Sequence, residues 1–115
     1  MNEDLRKYMV KLHLAGLEKS IRFTEDSNGH VTLDFVEYDF VSKYYEIPRF
    51  VYRLKEGCFS SVNVTCVSIP SSVEIIEESC FSNCSSLQTI IIREKHRQFI
   101  PLLKSSNNAT IEILP

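Results

Sequence analysis

The chain has 115 residues, room for one domain with a modest core, and its 13 basic against 15 acidic residues leave a formal charge of −2. That balance excludes a strongly basic nucleic-acid footprint and a polyacidic tail. No apolar run approaches the roughly 18 residues that span a bilayer, and Met1-Asn2-Glu3-Asp4 lacks the basic start and apolar stretch of a signal peptide, so the expectation is a soluble chain, cytoplasmic by default.

Asn2 followed by Glu3 and Asp4 makes a helix start with acids in the first turn. Leu5, Tyr8, Met9, Leu12 and Gly16 then recur at helical spacing, which predicts a helix over residues 3–18. Ile21–Thr24 and Val31–Phe35 flank Ser27-Asn28-Gly29, and Asn-Gly between alternating apolar residues signals a hairpin. Helix and hairpin together read as an N-terminal cap, or residues 1–40 hold a degenerate repeat of their own. Residues 38–45 would lead into the first complete rung of a repeated segment.

Laying the chain on itself exposes that repeat. Ile47-Pro48 recurs as Ile69-Pro70, 22 positions on, and the same offset aligns Val51 with Val73, Leu54 with Ile76, Cys58 with Cys80 and Phe59 with Phe81. Beyond Ser82 the register slips by one, so Val64, Val67 and Ile69 match Leu87, Ile90 and Ile92 at an offset of 23. A period of 22 to 23 with fixed apolar slots lies in the leucine-rich-repeat range. Val67 and Ile69, like Ile90 and Ile92, alternate with Cys66, Ser68, Thr89 and Ile91, the pattern of strands with one buried face. Pro48 and Pro70 end their strands because proline cannot donate to the ladder. Phe59 and Phe81 become the large plugs of successive rungs, and stacking makes their core continuous.

The stretch from Val67-Ser68-Ile69-Pro70 through Ser79-Cys80-Phe81-Ser82-Asn83-Cys84-Ser85-Ser86-Leu87 resembles the BspA-type (treponemal) leucine-rich repeat. The likeness extends back through residues 47–68, where Arg49-Phe50 replaces the usual small polar pair and the rung is one residue short. The resemblance implies ligand-binding repeats, often on the surfaces of bacteria and mucosal protists, without catalytic residues.

After Ile92 the pattern decays. Arg93 to Ile100 is charged, suits a short helix or exposed turn, and would end at Pro101. Ser105-Ser106-Asn107-Asn108 is loop composition, and Thr110-Ile111-Glu112-Ile113 alternates again as one last strand against residues 89–92.

Chemistry is weighed against structure at each reactive group. The spacings of Cys58, Cys66, Cys80 and Cys84 contain no Cys-x-x-Cys knuckle, so no metal site is expected with His13, His30 or His96. Cys58 and Cys80 fill a small core slot, Cys84 lies in the closing turn, and Cys66 points outward, all as free thiols. Sequons at Asn63, Asn83 and Asn108 would matter only in an exported chain, and a segment rich in Asn, Ser and Thr makes them by chance. Catalysis by a Cys–His pair needs a thiolate beside a base, whereas the thiols lie on a ladder away from His96. Glu77-Glu78 read as solvated charges. Arg93, Lys95, His96 and Arg97 are answered by Glu94 and too short for a nucleic-acid arm. The N-terminal helix is not basic enough for a membrane surface, and the three isolated glycines build no phosphate loop.

The expected architecture is a mainly β solenoid, a short leucine-rich-repeat stack with an N-terminal α-helix and hairpin cap, α+β overall. It forms a single domain: cap 1–43, two repeats 44–92, degenerate C-terminal repeat 93–115. The expected function is a non-catalytic protein-recognition module, with no cofactor, metal, nucleic acid or transmembrane segment. The alternative is a short structural repeat protein, a surface-antigen-like fragment without independent activity. The binding face comprises Tyr44, Glu46, Cys66, Ser68, Thr89 and Ile91, with Thr110 and Glu112 ending its two columns. Because Ser68 is expected to be exposed, Ser68→Glu should shift stability little.

Overall fold

Asn2 starts the first helix of the computed structural model, which describes residues 2–37, 43–105 and 107–115. Its side chain accepts the Leu5 N–H at 3.0 Å, satisfying one of the free donors of the first turn. Helix α1 runs Glu3–Leu14, shorter than the spacing predicts. Gly16 stops it: at φ +74° it donates to the His13 carbonyl, while the Leu17 N–H reaches back to Leu12 at 2.8 Å. This is a left-handed glycine cap, and the apolar spacing that continues through Gly16 yields to it. Leu5 and Leu12 are buried, and Tyr8 and Met9 pack against the core.

Strands β1 (Ile21–Glu25) and β2 (Val31–Val36) form the expected antiparallel hairpin, with a register shift between Arg22 and Phe23. The Asp26 carboxylate takes the N–H groups of Asn28 and His30, and Gly29 supplies the left-handed turn residue at φ +81°. The backbone N–H of Asn2 donates to the Glu25 carboxylate at 2.8 Å, tying the helix start to the hairpin. The far edge of β2 pairs in parallel with β4 (Val51–Leu54), and β4 pairs with β6 (Ile75–Ile76). The first sheet is therefore ordered β1-β2-β4-β6.

The second sheet is wholly parallel, ordered β3 (Tyr44–Glu46), β5 (Cys66–Ser68), β7 (Thr89–Arg93) and β8 (Thr110–Leu114). Its ladder continues one residue past β3 and β5, where the Ile47 N–H reaches Ser68 and the Ile69 N–H reaches Ile91. Pro48 and Pro70 then end it, as their missing N–H requires. Val67, Ile69, Ile90 and Ile92 are fully buried, and they join Leu33, Val51, Leu54 and Ile76 of the other sheet in one core cluster. Residues 38–42, expected to lead into β3, lie outside the described residues.

At the turn of each rung, Phe59 and Phe81 stack with ring centres 5.1 Å apart, both buried. Successive turns are bonded to each other through their backbones: Phe59 N–H to Cys80 and Ser61 N–H to Ser82, each at 2.8 Å. Equivalent slots are left-handed in both rungs, Gly57 with Ser79 and Ser61 with Asn83. Residues without glycine's freedom hold that conformation in three of these four slots, so the interlocked turns enforce it.

The C-terminal segment departs from expectation at Pro101. A 3-10 helix, Glu94–Phe99, runs directly into helix α2, Ile100–Lys104, with Pro101 in its first turn. Proline begins this helix instead of ending one, since a first-turn residue has no intrahelical acceptor to lose. Strand β8 then pairs with β7 in the expected register, Thr89 with Thr110 and Ile91 with Glu112.

Candidate functional site

Two columns of side chains cross the outward face of the second sheet. Register pairs Tyr44, Cys66, Thr89 and Thr110 in one column and Glu46, Ser68, Ile91 and Glu112 in the next. The parallel ladder places them there, because alternation along each strand repeats at the same height on its neighbours. Tyr44 and Glu46 are exposed, and Cys66, Thr89 and Ile91 are half-buried. Ser68 is the correction: it is only 3% exposed. Its small side chain lies between the longer Glu46 and Ile91 on the adjacent strands, which leave it recessed in the face. Its hydroxyl has no hydrogen-bond partner among the described residues.

The face carries acid at both ends. Neither Glu46 nor Glu112 has an ion-pair partner among the described residues. Partial burial pushes the Cys66 thiol up, and the Glu112 carboxylate raises it further. Arg93 follows Ile91 outward on β7, opposite Leu114.

Glu77 stays partly exposed, as a surface charge should, but it is also paired. It receives the Arg53 guanidinium at 3.0 Å and the Glu56 N–H at 3.0 Å, so it bridges neighbouring rungs. The Glu56 N–H and then Arg53 hold its carboxyl below the usual range. Glu78 is exposed. In the basic cluster, Arg97 pairs with Glu94, while Lys95 pairs with Glu74 and donates to the Ser71 carbonyl at 2.7 Å.

His96 is fully buried, which its charged neighbours in sequence conceal. Its Nδ1 accepts the Arg93 N–H at 3.1 Å and its Nε2–H donates to the Val73 carbonyl at 2.8 Å. Those two bonds require the neutral ring, and burial lowers its proton affinity below the ordinary histidine value. His96 thus clamps the C-terminal segment to the preceding rung. At the other end Tyr8, Phe23 and Phe50 meet edge to face at 5.5–5.7 Å, and the Tyr8 and Tyr45 hydroxyls are 2.9 Å apart. Tyr8 was legible in the helical stripe; its aromatic partners, 15 and 42 residues away, were not.

Cys58, Cys80 and Cys84 are buried, and burial pushes the Cys58 and Cys84 thiols up. Cys80 donates to the Glu77 and Lys55 carbonyls and Cys84 to the Phe59 carbonyl, so these thiols are spent on backbone acceptors. A cleft of about 320 Å³ between the second rung and the C-terminal loop is lined by Asn83, Cys84, Leu87 and Asn108. A second, of about 570 Å³, has Met9, Ile21 and Phe23 beside Glu18, Lys19 and Glu37. Neither brings a thiol beside a histidine. Among the described residues no group of three His, Cys, Asp or Glu is placed to hold a metal ion, and no helix is long and apolar enough to cross a membrane.

Residues 38–107, more than half of the chain, match the family described as BspA type leucine rich repeat region (6 copies). No curated protein and no solved structure gives a significant match.

Proposed function

From a chain that belongs to the BspA-type leucine-rich-repeat family, we propose a short solenoid that recognises a protein ligand across the outward face of its second sheet. The observation that carries this reading is the pair of columns, Tyr44–Cys66–Thr89 and Glu46–Ser68–Ile91 with Ser68 recessed, brought into register from three successive rungs. Tyr44 is 56% exposed and Ile91 half-buried, with no described element packed over them, and such apolar surface in a repeat face favours a partner. Within one domain, residues 1–43 serve as the cap, 44–92 as the repeats and 93–115 as the closing segment.

The module is non-catalytic in this reading. Burial raises the proton affinity of the Cys58 and Cys84 thiols, and Cys80 and Cys84 donate to backbone carbonyls, which opposes thiolate chemistry. The test is capture of partners from extracts by the wild-type chain and by Ile91→Lys. Loss of a specific partner in a variant that melts like wild type supports the face. Undiminished capture of the same partner refutes it, and leaves the structural repeat without independent activity as the better account.

A further inference from the structure

The row Glu46, Ser68, Ile91, Glu112 crosses all four strands of the second sheet, one residue from each. Neighbouring strands lie about 4.8 Å apart, so three steps separate the two end carboxylates by about 14 Å. Both carboxylates lack an ion-pair partner among the described residues, and the face's own cation, Arg93, makes no ion pair with Glu112. In the neighbouring column the Cys66 thiol is raised by burial and then by the Glu112 carboxylate. Between the acids lie half-buried Ile91 and the recessed Ser68, a residue only 3% exposed whose hydroxyl makes no hydrogen bond among the described residues. A hydroxyl without a protein partner on a sheet face is suited to a main-chain amide, and the unpaired acids on either side are suited to cations.

We propose that this face takes an extended basic segment of a protein partner, laid across the strands, whose two Lys or Arg side chains four residues apart meet Glu46 and Glu112. An extended chain advances about 3.3–3.6 Å per residue, so about four residues cover the 14 Å. Residues i, i+2 and i+4 of such a chain point to one side, so the middle one lies over Ile91 while an adjacent peptide group reaches the Ser68 hydroxyl. The inference rests on the recognition reading above and specifies the partner's chemistry.

The test uses the full chain and fluorescein-labelled nonapeptides, followed by anisotropy. One peptide has the core Lys-Ala-Val-Ala-Lys, a second has the lysines two residues apart, and a third replaces both by glutamate. The first should bind best, and Glu46→Gln or Glu112→Gln should each weaken it about fivefold, with the loss growing in the double variant and binding falling as salt rises. Equal binding of the close-spaced or acidic peptide, or unchanged affinity in a folded double variant, overturns the inference. If it is overturned while Ile91→Lys still abolishes capture of a protein partner, only the basic segment falls. If Ile91→Lys also leaves capture unchanged, the recognition reading falls with it.

Discussion

Replacing Phe81 by alanine removes the ring that plugs the second rung. Phe81 is 1% exposed and stacks at 5.1 Å on Phe59, which is itself fully buried. Loss of the transferred ring is worth about 2–3 kcal/mol. The cavity left behind, on the order of 100 Å³ before relaxation, adds about 2 kcal/mol at roughly 24 cal/mol per Å³. Collapse is hindered because the turn backbones on both sides are fixed by the Phe59–Cys80 and Ser61–Ser82 hydrogen bonds. The expected cost is about 4 kcal/mol, a large share of the roughly 5–15 kcal/mol that holds a domain together. Melting should fall by about 15 °C, judged from the usual few degrees per kcal/mol at this size. Urea and thermal unfolding followed by circular dichroism measure it, with Phe35→Ala as the control because Phe35 is 44% exposed. A Phe81→Ala chain melting within about 3 °C of wild type would show that the stacked rings do not support the core.

Ser68→Glu should destabilise by more than about 2 kcal/mol, since it places an unpaired carboxylate in a recess beside Glu46, whereas Ile91→Lys should stay within about 1 kcal/mol. Equal stability of the two variants in urea would contradict the burial of Ser68. His96 is neutral and buried with a lowered pKa, so the unfolded chain binds the extra proton first. Stability should therefore be complete above about pH 6.5 and decline as pH falls from there, and His96→Gln should flatten that slope between about pH 6.5 and 5. An identical slope in the variant would assign the proton elsewhere. Under native conditions a thiol reagent followed by mass spectrometry should label Cys66 alone, slowly at neutral pH because its thiol is raised, and all four cysteines in guanidinium. Labelling of Cys58 or Cys80 at the Cys66 rate would break the stacking account.

The offset of 22 to 23 and the alternation around Val67 and Ile90 determined the parallel register, the columns and the core slots, because strand alternation and turn chemistry act over a few residues. Asn28-Gly29 determined the hairpin in the same local way. Gly16 was a legible stop that apolar spacing obscured. The remainder depends on groups brought together from distant positions. Whether Ser68 is open or recessed is decided by Glu46 and Ile91, each more than 20 residues away. Glu77 is paired only because Arg53 and the Glu56 N–H reach it from the preceding rung. Likewise, His96 is buried because Val73 offers a carbonyl 23 residues upstream, and β2 enters the first sheet because β4 offers an edge. Burial and protonation are set by what the next rung places against a side chain, and that neighbour exists only once the chain has stacked.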